Sequence, residues 1–427
     1  MDYFHYKKSH LWCEDVRVAD IVKEYSTPLY IYSLKTLVRH LVVTSRAFGD
    51  IPHIVCYAAK ANSNLAILRT AALCGAGADV VSGSELNLAV KAGIRPRRIV
   101  FSGVGKTEEE IELAVRRGVL FICAESVDEI ELIAKVAARN RTVTPVAVRV
   151  NPDIDPKTHP HIATGLKETK FGLNEADSRK AYQVCRARKW LNPVGISMHI
   201  GSQVETVSPY IDSLKKLIGL FRHLWKQNIR LKYIDIGGGW AAPFERDAVL
   251  PHPDDYVSAV LSKLKDIPAT VVVEPGRSLV GNAGILVMRV IRTKRNGPKE
   301  FCVVDAGMND FIRPALYGAR HRIEPVRSAS GRKRVYDVVG PLCESSDCFA
   351  RDVRLPVMKE GDLLAIFTAG AYGSVMGSNY NSRLHPAEVA VAGNSVRLIR
   401  ERQTIKDLAR GQHWKEIDRG MLEDMLV

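Results

Sequence analysis

The chain has 427 residues, 46% of them hydrophobic, and a formal net charge of +14 from 61 basic and 47 acidic side chains. It is long enough for two domains, and no run reaches the ~18 apolar residues of a membrane span. The basic residues are scattered, with short clusters at 95–98 and 332–334 and no interleaved aromatics, so no nucleic-acid partner is expected. The opening "MDYFHYKKSHLW" lacks an apolar secretory core, which points to the cytoplasm.

The first 27 residues precede the regular pattern. Eight short apolar segments then follow in order: "IVCYAAK" (54–60), "ADVVS" (78–82), "RIVFSG" (98–103), "VLFICAE" (119–125), "VAVRVNP" (146–152), "GISMHIG" (195–201), "KYIDIGGG" (232–239) and "TVVVEPGR" (270–277). Between them lie segments such as "SVDEIELIAKVAARN", with apolar residues at i, i+3 and i+4. Near-continuous apolar strands joined by helices imply a parallel sheet buried on both faces. Eight units over roughly 220 residues predict an α/β fold, a closed (β/α)8 TIM barrel, with an open doubly wound sheet as the alternative. The glycines of "GAGADVV" (75–80) follow a helix and precede a strand, the reverse of a dinucleotide loop, and read as a helix stop. After residue 280 the texture turns β-rich. The predicted division is a barrel over 28–280 and a second, mostly β domain over 281–427 that the residues 1–27 join.

Eight cysteines, at 13, 56, 74, 123, 185, 302, 343 and 348, show no CxxC pair. Seven read as reduced packing residues, not as a disulfide frame or metal site. Cys343 is set apart below.

A barrel carries its chemistry at the C-terminal ends of its strands. Here those ends hold Lys60, then Ser82 and Glu85, Arg149, His199 and Ser202, Gly237, Gly238 and Gly239, and finally Glu274, Gly276 and Arg277. Each alone has a bland reading as a solvated tip, a turn or a salt-bridged corner. Together on one rim they describe a site. A lysine at the end of an apolar strand loses hydration, which predicts a lowered pKa and a neutral nucleophilic amine. Such an amine suits an aldehyde, and pyridoxal phosphate (PLP) is the natural aldehyde cofactor. Its phosphate suits backbone N–H groups of the turns at Gly237 to Gly239 and at 275–277. Its ring needs a flat partner, His199, and its nitrogen an acid, Glu274.

The set "YAAKAN", "HIGSQ", "DIGGGW", "EPGR", "DAGMNDFIRPALYGARH", "GPLCESSD", "GAYG" and "SNYNSR" resembles the diaminopimelate decarboxylases, barrel-type PLP enzymes related to ornithine and arginine decarboxylases. The likeness runs in order from about residue 28 to 410 and includes "RVNPDIDPKTHPHIATGLKETKFG" (149–172). It implies that Lys60 is the Schiff-base lysine and that His199 stacks on the ring. By the same resemblance Ser202, Gly237 to Gly239 and the turn at Gly276 and Arg277 hold the phosphate with Tyr372, and Glu274 pairs with the pyridinium. Arg277, Arg313 and Tyr317 are implied to bind the far carboxylate of the substrate, Glu344 its far ammonium, and Cys343 to donate the proton. Cys343, Glu344 and Tyr372 are implied to reach into a partner's site, hence a homodimer with shared active sites. The implied reaction converts meso-2,6-diaminopimelate, at its D-centre, to L-lysine and carbon dioxide.

Two arginines and a carboxylate complement a distal zwitterion independently of the resemblance. Ornithine or lysine would leave the arginines without an anion. A sister decarboxylase acting on ornithine, arginine or a carboxylated polyamine is the first rival. Glu274 speaks against a racemase, and retention of Lys60 and Cys343 against a non-catalytic barrel. A metal hydrolase using His159, His161 and His199 has no supporting motif, and no metal is expected. The sequence departs from the family pattern at Val104, usually asparagine, and in the extra Cys348.

Overall fold

The computed structural model describes residues 2–155, 169–246, 248–414, 417 and 421–422. Eight parallel strands close into a barrel: β1 His53–Ala58, β2 Gly77–Val80, β3 Ile99–Phe101, β4 Phe121–Ala124, β5 Thr144–Arg149, β6 Leu191–Ser197, β7 Tyr233–Asp235 and β8 Thr270–Val273. Closure is by pairing of β8 with β1, Val271 opposite His53 and Val273 opposite Val55. The open-sheet alternative is thereby excluded.

The strands read as unbroken apolar runs because both faces are buried. Ile54, Cys56, Val100, Phe121, Cys123, Ala147, Val194 and Val272 form one buried cluster. Tyr57, Val80, Ile122 and Val148 belong to a larger one that includes helix residues such as Leu68, Leu86 and Ile133. The encircling helices start where the sequence supplies a cap. Ser82, Ser126 and Asn174 accept from the backbone N–H three residues on, and Thr107 with Glu110 forms a reciprocal box. Ser82 and Glu85 are therefore cap residues: Glu85 turns back to accept the N–H of Val81 at 2.8 Å.

The second sheet runs, in order, 348–356, 333–339, 299–304, 284–296, 29–33, 387–392 and 395–400. Leu29–Ser33 lies inside this sheet, between 284–296 and 387–392, so the domain boundary expected at 28 moves to about 33. The segment "LYIYS" is buried at all five positions and reads like any barrel strand; only its partners reveal its sheet. The helix Leu34–Arg46 then opens the barrel unit ahead of β1. Residues Phe4–Lys7, His10–Cys13 and Val16–Arg17 make a small antiparallel sheet, and Phe4, Leu11 and Cys13 pack into the core of the β-rich domain. Cys74 is exposed rather than packed.

Candidate active site

Side chains alternate along a strand, so a residue two positions beyond an inward apolar residue also points inward. On that parity Cys56 is followed by Ala58, Val100 by Ser102, Cys123 by Glu125, Ala147 by Arg149 and Val272 by Glu274. Asp79 lies opposite Ala58, and Asp235 opposite Ser197 and Val272. The barrel is thus apolar at one end and carboxylate-lined at the other.

Lys60 stands in a single 3-10 turn that ends β1. Its Nζ donates to Asp79 Oδ2 at 2.7 Å, and Asp79 is fully buried. Burial alone would depress the lysine, but Asp79, Tyr372 and Glu274 together outweigh it and hold the ammonium above the ordinary lysine range. This corrects the expectation of a lowered pKa. The apolar strand supplies the desolvation, and the neighbouring strand supplies an anion that the segment "ADVVS" hid among apolar residues.

Glu274, the residue after β8, is buried, and its carboxyl is pushed up by burial, then by Asp235 and Asp79. Ser102 Oγ donates to it at 3.5 Å. Asp235 is also pushed up by burial while accepting from Ser197 Oγ at 2.9 Å and from the Gly237 N–H at 2.9 Å. Asp79, Asp235 and Glu274 are mutually close in a dry space where Lys60 pairs with Asp79, and they do not all ionise, so a proton is kept on the Asp235–Glu274 pair. His199 Nδ1 accepts from the Gly238 N–H at 3.1 Å. Burial, then Lys60 and Arg149, push this imidazole well below its usual range, so it is a neutral flat surface. Arg149 itself is held by Glu125 at 2.9 Å, which also accepts from the Gly172 N–H.

The turn Gly237–Gly239 joins this floor to the rim. Gly237 and Gly239 have φ of +69° and +92°, and a Cβ on Gly238 would stand 2.0 Å from the Glu274 carbonyl oxygen. Only glycine permits that approach. A Cβ on Gly276 would press on both Ala58 and Ala61 at 3.0 Å. Among the described residues, the N–H groups of Gly239, Gly276 and Arg277 donate to no protein acceptor, and Arg277 Nε is buried without one. Ser202 Oγ accepts from Arg277 Nη2 at 3.1 Å. These unmet donors beside Lys60 suit a phosphate, and the neutral imidazole with a protonated carboxyl pair suits a ring whose nitrogen takes a proton. The residues present fit PLP.

Arg277 and Arg313 form the mouth. Both are buried, and among the described residues neither meets a carboxylate. Burial pulls both down, Arg313 to about 9 with Arg277 adding to the effect. Tyr372 lies 4.9 Å from the Arg277 guanidinium, and Tyr317 5.5 Å from that of Arg313. The backbone N–H of Tyr372 donates to the Ala61 carbonyl at 2.7 Å. Tyr372 therefore belongs to the rim of its own chain, which corrects its expected reach into a partner.

Cys343 and Glu344 stand elsewhere. Both are exposed, on the loop between strands 333–339 and 348–356. The Cys343 N–H donates to Asn381 Oδ1 at 2.8 Å and Tyr380 OH donates to Glu344 at 3.4 Å; neither bond involves the Lys60 cluster. His159 and His161 lie outside the described residues, and no cluster able to hold a metal occurs among the described ones. Among them too, no helix is long and apolar enough to cross a membrane.

Sequence reasoning missed Asp79, Asp235, Phe244 and His321. The two aspartates were legible as acids at inward parity near strand ends. Phe244 carries no local signal, since long-range packing alone brings it to the arginines; His321 closes the segment "DAGMNDFIRPALYGARH", but only the folded turn shows that its ring meets Arg313.

Residues 34–281 match the family described as "Pyridoxal-dependent decarboxylase, pyridoxal binding domain". A diaminopimelate decarboxylase of Vibrio cholerae is 43% identical over 410 residues, 96% of this chain and 98% of its own length. The crystal structure of diaminopimelate decarboxylase from Helicobacter pylori complexed with L-lysine matches with a TM-score of 0.89 at 39% identity, over 96% of this chain and 100% of that one. The M. jannaschii diaminopimelate decarboxylase in co-complex with L-lysine matches with a TM-score of 0.93 at 37% identity, over 99% of both chains.

Proposed function

This chain belongs to the pyridoxal-dependent decarboxylase family, and on that premise we propose that it decarboxylates meso-2,6-diaminopimelate at its D-centre, releasing carbon dioxide and L-lysine. The observation that carries the substrate is the mouth: two buried guanidiniums that meet no carboxylate among the described residues, above a floor that holds an amine. A distal carboxylate answers both arginines, and bidentate pairing gives it a defined orientation.

Lys60, His199, Ser202, Glu274, the turns at 237–239 and 276–277 and Tyr372 would hold PLP. When bound, the cofactor supplies an electron sink for the pair left behind by departing carbon dioxide. Lys60 must first lose a proton, and Asp79 Oδ2 at 2.7 Å is placed to take it. Glu274 stays at the ring-nitrogen end with a proton it shares with Asp235. His199 offers its neutral face, and Arg277, Arg313 and Tyr317 anchor the far end of the substrate so that the scissile carboxylate is oriented.

Cys343 is the proton donor to the reacting carbon, and Glu344 receives the far ammonium. Both act in the site of a second copy of the chain, because among the described residues their exposed loop makes no bond to the Lys60 cluster of its own chain. The working unit is a homodimer with two shared sites. Eight cysteines without a disulfide framework favour the reducing cytoplasm.

The test is carbon dioxide and L-lysine release from meso-2,6-diaminopimelate by the PLP-loaded protein, against ornithine and arginine. Lys60→Ala and Cys343→Ala should each be inactive, the second while still binding PLP. Mixed in equal amounts they should regain about a quarter of wild-type activity, since half of random dimers hold one intact site. Comparable release from ornithine overturns the substrate assignment, and no regain on mixing overturns the shared site.

A further inference from the structure

Arg313 is unusual in how its guanidinium is held. Its Nε–H points at His321 Nε2, 3.3 Å away, and both residues are 5% exposed. The other ring nitrogen of His321, Nδ1, lies 3.0 Å from the Phe367 carbonyl oxygen. A carbonyl only accepts, so Nδ1 carries the proton and Nε2 is left as an acceptor. That is the one tautomer an arginine Nε–H can use; a doubly protonated ring would set donor against donor. Burial, then the charges of Arg313 and Arg277, push this histidine down to about 3, in accord with the neutral form.

The ring is clamped as well as hydrogen-bonded. Phe244, from the loop after β7, and Phe311 each meet it edge-on with centroids 4.7 Å away, at 68° and 82°. Phe244 also lies 5.8 Å from both guanidiniums of the mouth. With Nε committed, the two terminal nitrogens of Arg313 have no acceptor among the described residues. A planar fork fixed at its Nε presents both remaining arms as a unit, the form that pairs with a carboxylate at two points.

We propose that His321 is a positioning residue of the mouth: by accepting the Arg313 Nε–H it aims both terminal nitrogens at the far carboxylate of the substrate. The proposal rests on the reading that such a carboxylate binds there. It assigns His321 to discrimination at the far end and gives it no part in the bond-breaking step.

The PLP-loaded enzyme is assayed with two competitive inhibitors, L-lysine, which keeps the far carboxylate, and 1,5-diaminopentane, which lacks it. In wild type L-lysine should bind the more tightly. His321→Met fills the space without an acceptor and should weaken L-lysine on the order of tenfold, with 1,5-diaminopentane unchanged and KM rising far more than kcat falls. His321→Gln, whose amide oxygen reaches Nε, should stay within about threefold of wild type. Should His321→Met fail to fold, His321→Asn, whose amide stops short, makes the same comparison against His321→Gln. Equal weakening of both inhibitors, or identical losses in His321→Gln and the acceptor-free variant, overturns the proposal while leaving the substrate assignment intact. A wild type that does not prefer L-lysine removes the substrate reading, and the proposal with it.

Discussion

The floor of the site and its mouth carry opposite surpluses of charge. At the floor Lys60 faces Asp79 and Glu274, with Asp235 beside Glu274, and the excess negative charge is relieved by a retained proton. At the mouth Arg277 and Arg313 face no carboxylate among the described residues, and they are steadied by Tyr372, Tyr317, Phe244 and His321. Uncompensated charge in a dry interior costs several kcal/mol per ion, so neither arrangement is favoured by the chain alone. On the proposed assignment each would become favourable with its partner: a protonated ring nitrogen below, a carboxylate above. On the same assignment one half of the site serves the cofactor and the other selects the substrate, and the difference in charge teaches that the two can be perturbed separately.

The largest effect belongs to the floor. Glu274→Gln keeps the shape and removes the acid, and kcat should fall on the order of 10²-fold or more while PLP and L-lysine still bind. Stopped-flow decarboxylation with a parallel L-lysine titration measures both. A variant that lost L-lysine affinity instead would erase the division between floor and mouth.

Next comes the mouth. Arg313→Lys retains a cation but not the fork, and KM for meso-2,6-diaminopimelate should rise roughly 10- to 100-fold with kcat little changed. Steady-state kinetics decide it; an equal fall in kcat and kcat/KM would move Arg313 into the chemical step.

The smallest effect is on stability. Burial, then the charges of Arg313 and Arg277, push His321 in the folded chain from the ordinary histidine value of about 6.5 down to about 3. Between those values the unfolded chain takes up a proton that the folded chain refuses, so stability falls as pH falls through this window. His321→Gln removes that slope, at most about 1.4 kcal/mol per pH unit. Urea midpoints of both proteins at pH 6.5, 5.5 and 4.5 should diverge, wild type losing more. Parallel curves would mean that the ring protonates without penalty, and the steadying of Arg313 would need another cause.

Much of this was legible in the linear chain. The eight barrel strands came from apolar runs at regular intervals, because a strand buried on both faces has no polar side to dilute its pattern. Lys60, His199, Glu274 and the glycine turns could be read because barrel strands end on the functional face, so position in the repeat is itself a signal. Leu29–Ser33 shows the limit. Its five buried residues say that it is a strand, and nothing in them says which sheet it joins, since hydrogen-bonding partners are chosen across hundreds of residues.

By itself, then, the sequence determined the barrel, the amine and the polar residues around it, all set by local periodicity. Tertiary structure alone decided the charge state of Lys60, which depends on Asp79 in the next strand, and the placing of Tyr372 in its own chain's rim. It also decided the packing of Phe244 and His321 on the arginines. Electrostatics and packing act through space, and residues 60 and 79, or 244 and 321, become neighbours only once the chain has closed on itself.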